Sequence, residues 1–100
     1  MEWGLTIYHD RKNIRLLAKV VYSSDQIERI QIRGKNRSIT LQSNRPFLEK
    51  KGLKQKRIDW KLIEGTMNNA YLLQMIINTV ESHLKGKERS FPRLPKPYKN

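Results

Sequence analysis

"IERIQIRGKNRSITLQ", residues 27–42, decides the fold. Its first half sets Ile30 and Ile32 against Arg29, Gln31 and Arg33, the period of two that belongs to a strand with one face buried and the other in water. "GKNR" (34–37) is a turn, and "SITLQ" (38–42) repeats the pattern with Ile39 and Leu41 inward and Ser38, Thr40 and Gln42 outward. Two alternating runs joined by a four-residue turn make an antiparallel hairpin.

The same signal extends in both directions. Upstream, "WGLTIYH" (3–9) alternates Leu5 and Ile7 against Thr6 and Tyr8, "HDRKN" turns, and "IRLLAKVVY" (14–22) follows. That run sets Ile14, Leu16, Ala18, Val20 and Tyr22 on one face and Arg15, Leu17, Lys19 and Val21 on the other, giving a first hairpin that "SSD" (23–25) ends. Downstream, "SNRPFLEKKGL" (43–53) reads as a short helical turn capped by Ser43 or Asn44, with Pro46 in the first turn and Gly52 at the left-handed C′ position. "RIDWKLIE" (57–64) reads as a fifth strand, Ile58, Trp60 and Leu62 inward and Arg57, Asp59 and Lys61 outward.

The last apolar pattern has a different period. In "MNNAYLLQMIINTVESHLKG" (67–86), Ala70, Leu73, Ile76, Ile77, Val80 and Leu84 recur at helical spacing, with Gln74, Asn78, Glu81 and Lys85 as the polar stripe and Gly86 as a stop. The expected class is α+β: a single antiparallel, curved sheet of about five strands with one C-terminal helix packed on one face. The strands-then-helix order resembles the plan of pleckstrin-homology-like barrels in architecture, two strands short of it and without its fingerprint residues.

One hundred residues bury roughly 65% of the unfolded surface and leave no material for a second core. Residues 1–86 are therefore expected to form a single α+β domain. Residues 87–100 form a basic tail in which Pro92, Pro95 and Pro97 deny regular structure, and a flexible segment is expected there. Arg89, Pro92 and Pro95 carry the spacing of a polyproline II ligand, a pattern that arises readily by chance in basic tails.

The absence of cysteine excludes disulfides, thiolate zinc sites and cysteine nucleophiles, and suits a reducing compartment. The start has no basic n-region followed by an apolar run, and the longest apolar run, 70–77, is interrupted by Gln74. A cytoplasmic protein with no membrane partner is expected.

The net charge of +12 is unevenly placed. Residues 50–61 hold six basic groups and one acid, and 85–100 hold the same numbers, whereas 62–84 hold two acids and no base. A polyanion partner is favoured, but a helix without Lys or Arg is a poor major-groove reader. RNA or single-stranded DNA is preferred over duplex.

If the helix covers the apolar face, the opposite face carries Tyr8, Arg15, Lys19, Arg29, Arg33, Arg57 and Lys61. Cations there can track a phosphate backbone while a ring stacks on a base. Lys50, Lys51, Lys54 and Lys56 extend the basic set through the connection before the fifth strand. The competing explanation is that solvent-facing strand positions carry Lys and Arg to discourage edge-to-edge aggregation. A second class of function also follows from the helix. Tyr71, Leu72 and Met75 lie beyond its core stripe, and an apolar flank there would support a homodimer.

Catalysis has little support in the residues. His9 and His83 are the only histidines, too few for a multi-histidine metal site. Asp59-Trp60-Lys61 and Glu49-Lys50-Lys51 match half of a nuclease motif without its proline-preceded upstream acid. The expectation is a non-enzymatic binding module with no catalytic residue, metal or cofactor.

Overall fold

Burial alternates residue by residue along the first and third strands and through residues 13–21 of the second, as a sheet covered on one side requires. The computed structural model describes residues 2–53 and 56–88, with side chains through Lys85. Its strands are β1 (Glu2–His9), β2 (Lys12–Ser23), β3 (Glu28–Arg33), β4 (Ser38–Ser43) and β5 (Trp60–Glu64). A short helix α1 (Arg45–Lys50) separates β4 from β5, and α2 (Ala70–Glu88) follows β5. All pairings are antiparallel, and the strands stand in chain order from β1 to β5.

The inner face and α2 make the core. Leu5, Ile7, Ala18, Ile30, Ile32, Ile39 and Leu41 of the sheet meet Ile76, Val80 and Leu84 of the helix, all buried. Each large aliphatic there contributes about 1.5–3 kcal/mol relative to exposure. The two edge strands both reach the helix: Trp3 of β1 stacks on His83 with ring centroids 4.4 Å apart, and Trp60 of β5 donates its indole N–H to Glu81 at 2.6 Å. A sheet of this width can touch one helix from both edges only by curling around it. It does not close, since the strand order ends at β1 and β5.

Local signals set the joints. Asp10 and Arg11 take φ of 56° and 63°, the two left-handed positions of a type I′ loop, which matches the twist of β1 and β2. Helix α1 stops in a Schellman turn: Leu53 donates to the Leu48 carbonyl at 2.8 Å, and Gly52, at φ +70°, donates to that of Glu49 at 3.1 Å. At the start of α1 the cap position, Asn44, makes no side-chain cap bond, and Ser43 before it accepts the Arg45 amide at 3.3 Å; at α2, Asn69 caps the helix by accepting the Leu72 amide at 3.0 Å. Helix α1 is tied to the sheet by Arg45, which donates twice to the buried Glu28 carboxylate at 2.8 and 3.0 Å, while Ser43 donates a third bond to it.

Three expectations need correction. The fifth strand begins at Trp60 rather than at Arg57, because β4 ends opposite Trp60 and the Asp59 amide bonds to the Asn44 side chain instead of to a neighbouring strand. A bulge at Val21 reverses the facing of Tyr22: Val20 pairs with Ile30, but Tyr22 pairs with Arg29. Finally, α2 carries through Gly86 to Glu88; one glycine costs a helix about 1 kcal/mol and does not by itself end it. Among the described residues, no helix is long and apolar enough to cross a membrane.

Candidate nucleic-acid interface

The outer sheet face is built in rungs. Tyr22, Arg29, Gln42 and Lys61 are paired neighbours across β2 to β5, and Glu2, Lys19, Gln31, Thr40 and Glu64 form the next rung across all five strands. Gly4, Leu17, Arg33 and Ser38 form a third, after which only β1 and β2 continue, with Thr6 beside Arg15 and Tyr8 beside Asn13. The two tyrosines thus lie at opposite ends of the face, roughly 25 Å apart along the strands.

Hydrogen bonds order the lower rungs. The Arg29 Nε donates to Gln42 at 3.0 Å while its guanidinium carbon sits 5.2 Å from the Tyr22 ring centroid. Thr40 donates to Glu64 at 2.9 Å, and Arg33 donates to Glu2 at 3.1 Å. Arg15, Lys19 and Lys61 stay exposed, with Leu17 and Val21 as exposed apolar positions beside them.

This face differs from the sequence expectation in three ways. It gains Tyr22, whose ring the sequence sends inward because Val-Val-Tyr continues the alternation whether or not a residue is bulged out. It also gains two acids. Glu2 lies in β1, one residue before the expected strand, and Glu64 is turned outward by an extra residue between the pairings of Leu41 with Leu62 and Thr40 with Glu64. Arg57 leaves the face, since it precedes β5 and lines a cleft against α2.

Among the described residues, the other basic groups of 50–57 have partners or places of their own. Lys50 is paired with Asp25 at 2.8 Å, and Lys51 lies 5.9 Å from the Phe47 ring centroid. The Lys50 ammonium, with its hydrogen bond and its charge, holds the Asp25 carboxyl below its ordinary value. Lys56 and Arg57 share a cleft of about 650 Å³ with Asp59, Gln74, Glu81 and Lys85. Lys54 and the proline-containing tail from Arg89 onward lie outside the described residues.

On α2, Tyr71 is 68% exposed, while Leu72 and Met75 are half-buried and packed against the core. The apolar flank therefore narrows to one fully presented ring. Among the described residues, no three His, Asp or Glu side chains gather as a metal site would need. Comparison with protein-family models, with curated proteins and with solved structures found no match.

Proposed function

We propose that the domain is a non-enzymatic module that holds single-stranded nucleic acid on its outer sheet face, mainly through phosphates. The rung Tyr22, Arg29, Gln42, Lys61 carries the reading. It sets an exposed ring, a guanidinium, an amide and an ammonium side by side, spaced by the sheet at about 4.8 Å per strand. A ring accepts a base by stacking and the cations take phosphate oxygens, with little demand on sequence. Lys19 and Arg15 extend the positive track toward Tyr8, and Glu2 and Glu64 thin it at the second rung. Lys50, Lys51, Lys56 and Arg57 are not counted in this surface.

Self-association through α2 is the other class of function. It rests on Tyr71, since Leu72 and Met75 already pack on the sheet.

Titration of labelled single-stranded RNA, single-stranded DNA and duplex at two salt concentrations tests the reading. Binding should favour the single strands and weaken with salt at a log-log slope of about −0.7 per phosphate neutralised. Changing Arg15, Lys19 and Lys61 together to Thr should flatten that slope by about 2 and leave the melting temperature within a few degrees. No binding to any of the three at low salt would sink the proposal, and a stable dimer by sedimentation would then favour self-association.

A further inference from the structure

The β1–β2 hairpin outruns the rest of the sheet. The last pair between β2 and β3 is Leu17 with Arg33, whereas β2 continues pairing with β1 down to Lys12. Residues Lys12 to Leu16 therefore have a strand on one side only. The type I′ loop makes His9 and Lys12 its closing hydrogen-bonded pair, so alternation turns the amides of Lys12, Ile14 and Leu16 to β1. Those of Asn13 and Arg15 look the other way, into the line that β3 would occupy if it went on. It does not go on, because Gly34 donates to the Arg37 carbonyl at 2.8 Å and the chain turns toward β4.

Two hollows flank this unpaired edge. On the inner side lies an apolar cavity of about 270 Å³ lined by Ile14, Leu16, Ile32, Ile39, Met67 and Leu72. On the outer side is a shallow groove that shares Ile14, Leu16, Gly34 and Lys35 with it. A strand laid along β2 would send alternate side chains into each.

We propose that this edge receives an extended segment of a partner protein, with apolar side chains alternating with acidic ones. The acidic preference follows from the rim: Lys12, Arg15, Lys35 and Arg37 border the two hollows, and no acid lines either. Asp10, at the hairpin tip, is the one acid on the projecting arm. A second copy of this edge would bring the same cations against themselves. The chain's own residues 89–100 carry four basic groups, three prolines and no acid, so they complement neither the charge nor the ladder. Arg15 also belongs to the proposed nucleic-acid face, but the edge stands on the open ladder and the apolar cavity, which that reading does not use.

The test is amide NMR on the full chain with three capped synthetic probes: a peptide of about ten residues alternating Glu with Leu or Ile, the same peptide with Lys for Glu, and a single-stranded oligonucleotide. The expected result is that the acidic peptide alone slows exchange of the Asn13 and Arg15 amides and shifts the Met67 and Leu72 signals. Lys12→Glu with Lys35→Glu should weaken it by about tenfold or more. Asn13→Pro, which removes an edge donor and spares the β1 ladder, should abolish it with the fold intact by thermal melting. Equal protection by the basic peptide, protection by the oligonucleotide instead, or unchanged Asn13 and Arg15 exchange at saturating acidic peptide would overturn the assignment. None of these outcomes bears on binding at Tyr22 and Lys61.

Discussion

Tyr22 and Arg29 face each other across β2 and β3 on the outer side of the sheet, the guanidinium carbon 5.2 Å from the ring centroid. The Val21 bulge creates this relationship, because without it the ring would turn toward the core. If the ring is a stacking platform, Tyr22→Ser removes about 1–3 kcal/mol of binding to single-stranded RNA, roughly 5- to 150-fold in affinity. The ring is half exposed, so the melting temperature should move by only a few degrees. Fluorescence anisotropy and thermal melting of the same variant give both readings, and unchanged affinity would remove Tyr22 from the interface.

Trp60 ties β5 to α2 through its bond to Glu81. Trp60→Phe keeps an aromatic body there and loses the donor, so a destabilisation of about 1 kcal/mol is expected. Trp60→Ala should cost about 3 kcal/mol, the lower end for an aromatic truncation because the side chain is only half-buried. Urea unfolding measures both, and equal losses in the two variants would show that the hydrogen bond, not the ring, fastens β5.

Gly65 turns the chain out of β5 toward α2 at φ +84°, and a Cβ there would lie 2.6 Å from the Ser38 carbonyl oxygen and 2.9 Å from Ile39 Cγ2. Backbone conformation and overpacking act in the same direction. Gly65→Ala should destabilise by about 2–4 kcal/mol. A loss under 1 kcal/mol would mean that the β5–α2 connection shifts freely.

Lys50 holds the Asp25 carboxyl below its ordinary value, first by hydrogen bond and then by charge. A depressed carboxyl pKa stabilises the fold above the unfolded-state value, and that contribution is lost as pH falls through the lower folded value. Both side chains are more than half exposed, so the effect is small and salt should erase it. Lys50→Met should return the Asp25 titration, followed by its carboxyl carbon shift, to the ordinary range; a midpoint indifferent to Lys50 would contradict the pairing.

The sheet was legible because its signal is local. Ile30 with Ile32 and Ile39 with Leu41 fix the inner faces of β3 and β4 within a few residues, and Leu48, Gly52 and Leu53 spell out the end of α1 just as locally. The outer face was harder to read. A bulge adds one residue without changing composition, so "VVY" looked like uninterrupted alternation and the outward turns of Tyr22 and Glu64 left no trace. The place of Arg57 is hidden for a different reason: the Asn44 side chain that accepts the Asp59 amide is 15 residues away, and no window on "RIDWK" contains it. Pairings such as Glu28 with Arg45 likewise exist only after the chain has folded back.

The order of the strands has a kinetic consequence. Every strand pairs with its predecessor in the chain, so the sheet can zip up through successive short closures, each adding little entropic cost beyond the last. Helix α2 is different, since it must return across about 80 residues to set His83 on Trp3 of the first strand. Docking of the helix on β1 is then expected to come late in folding. Because an indole takes part in it, Trp3 emission during refolding of a Trp60→Phe variant, in which Trp3 is the one indole left, times the moment at which α2 meets β1.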